Sequence, residues 1–184
     1  MEFSTSCRRG ASTGIPVLKA LVSELPPDLP ASVFIVMHIG RGPVVFQRFF
    51  PVSHPVDEET IVVGKVYVAP PDKHMLVGRG QVLLSNASKE HFTRPAADPL
   101  FRSAAVNHGK NVVGVVLTGC LEDGAAGLQV IRACGGYTIV QDPATCVAPG
   151  MPTAVLRRSP LSTITPVEQL ASSIVAAVTC TPRT

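Results

Sequence analysis

Residues 111–140 read NVVGVVLTGCLEDGAAGLQVIRACGGYTIV, and the order of patterns in this stretch decides the fold. Its first part, Asn111–Leu117, is a near-continuous apolar run, which is typical of a parallel strand buried on both faces. Ala125–Cys134 then has the pattern of a helix, which Gly135-Gly136 ends. Tyr137–Val140 is a second apolar run. Strand, helix and strand in this order predict a βαβ unit.

The N-terminal part of the chain predicts another βαβ unit. Ile15–Leu25 has apolar residues at helical spacing, and Ser32–Met37 is a buried-strand run that closes on His38. The strand before this helix should lie in Met1–Arg9. Six of these nine residues are polar, whereas a central parallel strand is normally apolar. The pattern therefore predicts a weak first strand.

The rest of the chain continues the alternation of strands and helices. His74–Val77 and Gln81–Leu84 flank Gly78-Arg79-Gly80, which predicts an antiparallel hairpin. A strand is predicted at Lys65–Pro70, and helices are predicted at Asp98–His108, Met151–Leu156 and Val167–Val178. The alternation predicts an α/β fold with a doubly wound, mostly parallel sheet that helices flank in three Rossmann-like layers.

The composition is that of one compact, soluble domain, which we expect to cover residues 1–184. Apolar residues make up 46% of the chain and the net charge is only +3, which argues against a nucleic-acid partner. No apolar run approaches the roughly 18 residues of a membrane span, so we expect no membrane insertion. The five cysteines are scattered and form no C-x-x-C pair. This usage favours a reducing, cytoplasmic location without a disulfide framework or zinc site.

The pentapeptide Gly10-Ala11-Ser12-Thr13-Gly14 fits the G-x-S-x-G pattern of a nucleophile elbow. A serine that attacks a carbonyl must stand clear of its own backbone, and the flanking glycines permit the tight turn that this requires. The helix that follows points free N–H groups at the site, which suits a developing oxyanion. A glycine-rich turn before a helix also suits phosphate, but the fuller G-x-G-x-x-G pattern of nucleotide binders is absent around it.

Two other polar residues follow predicted strands, at the ends where ligands bind in α/β sheets. His38 closes an apolar strand, and Asp123 opens a helix after another. Taken singly, His38 also fits a polar strand cap, and Asp123 also fits a helix cap. Together with Ser12 they have the chemistry of a Ser-His-Asp triad. Among the other histidines, His74 ranks second as the base, because it follows a tight loop that could border the cleft.

Motifs along almost the whole chain resemble the catalytic domain of the chemotaxis protein-glutamate methylesterases. They occur in the order that this family has, and as a set they are far more specific than the serine pentapeptide alone. The matching segments are Gly10–Gly14, Val36-Met37-His38, Val66–Pro70 with His74, Asp98–Ala104, Leu117-Thr118-Gly119, Asp123-Gly124-Ala125, Gly135-Gly136, Gln141-Asp142 and Gly150-Met151-Pro152.

The resemblance implies a Ser12-His38-Asp123 triad that hydrolyses glutamate methyl esters on the cytoplasmic part of methyl-accepting chemotaxis receptors and releases methanol. Family members also deamidate certain receptor glutamines. In this chemistry Ser12 attacks the ester carbonyl, His38 accepts its proton and Asp123 holds the imidazole. The N–H of Thr13 and the backbone near Cys120 would stabilise the oxyanion. This chemistry needs no metal or organic cofactor, and we expect none.

Some positions depart from the pattern of this family. Ile15 stands where the family has a glycine, and Cys120-Leu121 stand where it has Met-Gly. The added bulk beside the triad supports an alternative function, in which a weakened or inactive member binds a receptor or a partner protein. The family enzymes usually carry an N-terminal receiver domain, for which 184 residues leave no room. We therefore expect a stand-alone member, a fragment or a separated catalytic domain.

Overall fold

The chain forms two β-sheets and five α-helices within the residues that its computed structural model describes, which are 2–6, 14–38 and 52–180. The predicted serine turn, including Ser12 and Thr13, lies outside these residues. The described helices begin and end close to the predicted positions, and none of them has the length and apolarity needed to cross a membrane.

The larger sheet is parallel throughout and has seven strands. In chain order the strands of the protein are β1 Glu2–Ser6, β2 Val33–His38, β3 Val52–Ser53, β4 Glu59–Thr60, β5 Val66–Val68, β6 His74–Val77, β7 Gln81–Ser85, β8 Val113–Gly119, β9 Tyr137–Gln141 and β10 Thr163–Thr165. The large sheet has the order β10-β9-β8-β1-β2-β5-β3, and every neighbouring pair in it is parallel. The predicted hairpin forms as β6 and β7, and β4 extends it to a second, antiparallel sheet.

Helices cover both faces of the large sheet. They are α1 Gly14–Glu24, α2 Ala97–His108, α3 Ala125–Ala133, α4 Gly150–Arg158 and α5 Leu170–Cys180. Alternate residues of β2 belong to opposite cores: Phe34 and Val36 pack with α2, α3 and α4, whereas Val33 and Ile35 pack with α1 and α5. Burial of both faces explains why β2 is apolar from Val33 to Met37. The three-layer α/β fold predicted from the sequence is confirmed.

The first strand forms at the centre of the large sheet despite its polar sequence. Backbone pairing joins Glu2–Ser6 to Phe34–His38 of β2 on one side and to β8 on the other. A ladder of this kind is made by backbone groups, so it does not require apolar side chains in every strand. Backbone hydrogen bonds to the apolar strands β2 and β8 therefore hold β1 in the sheet, although most of its own side chains are polar.

Candidate functional site

Three neighbouring strands end at one edge of the large sheet. β1 lies between β8 and β2, and all three are parallel, so their carboxyl ends meet there. The last residue of β1, Ser6, pairs with His38, the last residue of β2, and with Gly119, the last residue of β8. Ser12 follows Ser6 by six positions in the sequence. Crevices beyond the carboxyl ends of such strands are where α/β sheets bind ligands.

Asp123 follows β8 at this edge and is almost completely buried, with 1% of its surface exposed. Its Oδ2 accepts a hydrogen bond from the N–H of Ala97 at 2.7 Å, and its Oδ1 accepts one from the N–H of Asp98 at 3.1 Å. These two N–H groups belong to the first turn of α2, which carries a partial positive charge. A buried carboxylate is therefore held in one orientation and stabilised in its ionised form.

The carboxylate of Asp98 makes the corresponding interaction with the start of α3. Oδ1 of Asp98 accepts a hydrogen bond from the N–H of Gly127, in the first turn of α3, at 2.6 Å. Neither helix has a side-chain cap at its own N-cap residue, which is Ala96 for α2 and Gly124 for α3. Each of the two helices is instead capped by a carboxylate from the segment that begins the other. We call this arrangement the reciprocal cap.

Glycine at position 127 lets the two helices approach closely enough for the reciprocal cap. A Cβ atom on Gly127 would lie 2.5 Å from Cβ of Phe101 and 3.1 Å from Oδ1 of Asp98, and the first distance is far inside van der Waals contact. Gly124 has a φ of +87°, a left-handed conformation that glycine adopts at little cost. The Gly-rich segment after Asp123 is therefore required by the packing of α2 on α3.

His91 joins this cluster from the loop after β7. Its Nε2 lies 2.8 Å from Oδ2 of Asp98, and about one third of its side chain is exposed. Burial raises the pKa of Asp98 above its ordinary value, the negative charge of Asp123 adds to the rise, and the hydrogen bonds from Gly127 and His91 oppose it. All four oxygens of the two carboxylates thus take part in hydrogen bonds. Although the ligand atoms of the three side chains lie within 4.8 Å of one another, we assign the cluster to hydrogen bonding rather than to a metal.

The other side of the edge is fastened by the loop that follows β9. Ala148 and Thr118 are bonded twice: the N–H of Ala148 donates to Oγ1 of Thr118 at 2.9 Å, and that hydroxyl donates to the Ala148 carbonyl at 3.2 Å. The N–H of Gly119 also donates to the Ala148 carbonyl, at 2.8 Å. The buried side-chain oxygen of Gln141 accepts from the N–H of Thr118 at 2.9 Å. These four hydrogen bonds fix Thr118 and Gly119 at the end of β8, and we call this pair of residues the platform.

The structure describes the three residues that depart from the family pattern, which are Ile15, Cys120 and Leu121. Cys120 directly follows β8 and is partly buried, and Leu121 is about half exposed. Leu121 has a φ of +69°, the left-handed region that favours glycine. Position 121 thus has the backbone of a glycine position and carries a leucine. Ile15 is a partly buried residue in the first turn of α1.

The structure argues against His74 as the base. Its side chain is buried on β6, where Nδ1 accepts a hydrogen bond from the N–H of Ala96 at 3.3 Å and Nε2 lies 3.0 Å from the carbonyl of Ser88. Since a backbone N–H can only donate, the ring carries its proton on Nε2 and donates it to Ser88. Both ring nitrogens are therefore occupied, Nδ1 by the N-cap residue of α2 and Nε2 by the loop that follows β7.

Cys146 is a partly buried thiol in the loop that follows β9. Its Sγ donates to the carbonyl of Asp142, and burial raises its pKa from 9.0 to about 11. The thiolate is the reactive form. At pH 8 we expect iodoacetamide to modify Cys146 of the folded protein about a hundredfold more slowly than a thiol with an unshifted pKa.

Mass spectrometry of a time course would give the rate at each cysteine. Cys134 and Cys180 are exposed and provide the comparison within the same sample. In urea the difference should disappear, because unfolding removes the burial. Modification of Cys146 as fast as that of the exposed thiols in the folded protein would show that its thiol is ionised and available.

Of the five site residues predicted from the sequence, two are described with their side chains. Asp123 and Cys120 follow β8, and the backbone of His38 ends β2 at the same edge. Ser12 and Thr13 fall outside the described residues. Asp98 and His91 also belong to this cluster, but the sequence pattern predicts no role for either of them, although Asp98 opens one of the family motifs. An acidic residue in the first turn of a predicted helix was the available signal, but it did not point to the N-terminus of another helix.

Comparison with known proteins identifies close relatives of the chain. Residues 10–174 match the family model described as CheB methylesterase. A protein-glutamate methylesterase/protein-glutamine glutaminase from Symbiobacterium thermophilum is 38% identical over 183 residues, which cover 92% of this chain and 49% of that protein. The corresponding protein numbered 2 from Anaeromyxobacter dehalogenans is 36% identical over 169 residues, covering 88% of this chain and 50% of the relative. The chain thus spans about half the length of these curated relatives.

A solved structure matches the chain over nearly its full length. The crystal structure of the CheB methylesterase catalytic domain from Thermotoga maritima superposes with a TM-score of 0.82, at 28% sequence identity. The match covers 95% of this chain and 95% of that domain. The similarity therefore extends over the sheet, the helices and the edge at which β8, β1 and β2 end.

Proposed function

Because this chain belongs to the CheB methylesterase family, we propose that it is a serine carboxylesterase that hydrolyses methyl esters of glutamate side chains on chemotaxis receptors. The observation that carries the proposal is the register of the central strands. Ser6 pairs with both His38 and Gly119, so the segments that lead to Ser12 and to Asp123 start from one row of residues that includes His38. Residues 1–184 act in this proposal as one catalytic domain.

In the proposed reaction Ser12 is the nucleophile and His38 the general base. Oγ of Ser12 attacks the ester carbonyl carbon while His38 takes the hydroxyl proton. The imidazolium then gives that proton to the methoxide that leaves, so methanol is released and the glutamyl group stays on the serine as an ester. A water molecule, deprotonated by His38, hydrolyses this acyl-enzyme and restores the free serine. If a glutamine side chain replaces the ester, the same steps release ammonia.

Asp123 supplies the orienting charge in this mechanism. The carboxylate would accept the second ring N–H of His38, fix its tautomer and stabilise the imidazolium that forms. Its attachment to two backbone N–H groups of α2 supports this role, because a rigid carboxylate holds an imidazole better than a mobile one. The N–H of Thr13 and the backbone at Cys120 are proposed donors to the oxyanion, and the platform at the end of β8 would keep the second donor in place.

The proposed substrate is a methylated glutamate on the cytoplasmic part of a chemotaxis receptor. Two relatives at 36% and 38% identity are named as protein-glutamate methylesterases and protein-glutamine glutaminases. The net charge of +3 is compatible with a receptor surface that gains one carboxylate at each hydrolysed ester. Because this proposed substrate is exposed to the cytoplasm, we also propose that the chain acts in the cytoplasm.

A labelling experiment tests the proposed function directly. The protein is incubated with a receptor cytoplasmic fragment that carries radiolabelled methyl groups, with and without a serine-directed phosphonate. We expect volatile labelled methanol without the phosphonate, loss of release with it, and one phosphonate mass on the peptide that contains Ser12. Methanol release that the phosphonate does not stop would contradict a serine mechanism. A protein that binds the fragment with no release and no label would be the non-catalytic binding module.

A further inference from the structure

Asp98 connects Asp123 to two other parts of the molecule. Its backbone N–H donates to Asp123, and its own carboxylate accepts from Gly127 and from His91. The side chain is 98% buried and lies beside the equally buried carboxylate of Asp123. Any displacement of Asp98 therefore moves a donor to Asp123 and loosens the start of α3 at the same time.

Two buried carboxylates side by side need a compensating charge or a proton. A second negative charge in a buried site is costly, because burial removes solvation and the like charges repel. His91 is the titratable group that contacts Asp98 from outside the two helices, and its backbone φ of +48° belongs to a turn that directs the ring to Oδ2. One additional proton on this pair, held by either the imidazole or the carboxyl group of Asp98, removes its net charge, and Asp123 is then the only anion among the three residues.

We propose that His91 and Asp98 are positioning residues for Asp123, with His91 balancing the charge of Asp98 so that the reciprocal cap holds Asp123 ionised and fixed. For catalysis this rests on the proposed esterase function. For stability it does not, because the charge balance belongs to the fold whether or not an ester is hydrolysed.

The other charged groups around Asp98 have partners of their own. Arg102, one turn further along α2, forms an ion pair with Glu90 at 2.6 Å. Its pKa is raised chiefly by its hydrogen bond to Glu90 and to a smaller extent by the charges of Asp98 and Asp123. From α3 the group that faces Asp98 is the uncharged N–H of Gly127. On the side of β6 the neighbouring titratable residue is His74. Its two ring nitrogens are hydrogen-bonded to the N–H of Ala96 and to the carbonyl of Ser88. His91 is thus the titratable side chain that hydrogen-bonds directly to the carboxylate of Asp98, whereas Arg102 acts on it at longer range and is paired with Glu90.

The sign of the pH effect follows from the pKa of Asp98. Its value in the folded protein is raised above 3.8, first by burial and then by the charge of Asp123. A raised carboxyl pKa means that its contribution to stability is complete below the unfolded pKa of about 4 and is lost as the pH rises through the folded value. The hydrogen bond and charge of His91 lower the pKa of Asp98 and so limit this loss.

Urea denaturation between pH 4 and pH 8 measures the balance without any substrate. We expect His91→Ala to lose more stability than the native protein as the pH rises, with each further unit of Asp98 pKa reducing the folding equilibrium constant about tenfold. The double variant with His91→Ala and Asp98→Asn should lose this extra pH dependence, because an amide does not ionise. His108→Ala is the matched control, since that ring hydrogen-bonds to the carbonyl of Gly78 and not to a carboxylate in the described part of the chain.

The same variants test the positioning role in turnover. We expect His91→Ala to lower kcat on the order of tenfold to a hundredfold, with KM nearly unchanged because His91 does not touch the ester. Asp98→Asn keeps an oxygen for the N–H of Gly127, so it should retain more activity than Asp98→Ala. The double variant with His91→Ala and Asp98→Asn should be more active and more stable than His91→Ala alone, a rescue that a purely structural role would not produce.

Three results would overturn the proposal. The first is a pH course of stability for His91→Ala that matches the native one. The second is a double variant that is worse than His91→Ala by the full effect of Asp98→Asn. The third is a loss of activity in His91→Ala as complete as the loss of the nucleophile, because His91 would then be the base. If the native protein neither releases methanol nor takes the phosphonate, the esterase function fails, and the stability measurements alone still decide whether His91 balances Asp98.

Discussion

The Ser12→Ala variant is expected to release methanol from methylated receptor about 10⁶ times more slowly than the native protein. An alanine has no oxygen to form the acyl-enzyme, and removal of the nucleophile alone costs about as much as removal of all three members of a triad. The residual rate should reflect binding and oxyanion stabilisation alone. A discontinuous assay of volatile methanol, together with the rate of phosphonate labelling, measures both consequences.

Ser23→Ala is the matched control for this substitution. Ser23 lies on the exposed side of α1, where its hydroxyl donates to the carbonyl of Ala20 at 2.7 Å, so its loss should leave turnover unchanged. The Ser12→Cys variant retains a nucleophilic atom and should still be labelled by thiol reagents. Melting temperatures of the variants must match before rates are compared. Equal methanol release by Ser12→Ala and native protein would remove Ser12 from the mechanism.

The layers of the fold could be predicted because burial imposes a simple pattern on the central strands. Val113–Gly119 is buried at every position, and a strand buried on both faces is normally a near-continuous apolar run, as Val113–Leu117 is. The edge strand β10 at Thr163–Thr165 follows a different rule. It pairs with β9 alone, its central residue Ile164 is about half exposed, and three residues give no periodicity to detect. No sequence pattern therefore predicts β10.

One part of the candidate site follows from local sequence patterns, and the other part depends on how the helices pack. His38 and Asp123 could be singled out because a polar residue after an apolar strand marks the carboxyl edge of a sheet in any α/β fold. The reciprocal cap could not, because it joins residues 25 to 29 positions apart, such as Asp98 and Gly127. Its formation depends on how closely α2 approaches α3. That distance is set by Gly127 against Phe101, which no pattern within either helix reveals.

The Asp123→Asn variant is expected to lower kcat for ester hydrolysis by about 10⁴-fold and also to reduce stability. An asparagine can present its NH₂ group to His38 and so select the wrong tautomer of the base. It also offers one acceptor oxygen where Asp123 offers two. Since the N–H groups of Ala97 and Asp98 both point at this side chain, one of them would face an NH₂ group. A buried donor left in this way costs about 1–3 kcal/mol.

Asp57→Asn makes the two effects separable. Asp57 also accepts a backbone N–H, from Leu84 at 2.8 Å, but it is exposed and lies in a loop that packs on β7. This control variant should keep the native kcat, and its free energy of unfolding should change by less than about 1 kcal/mol. If Asp123→Asn retained native kcat while losing stability, Asp123 would be a helix cap and nothing more. If it lost kcat with unchanged stability, its two N–H contacts would not be what fixes the carboxylate, and the reciprocal cap would have no part in catalysis.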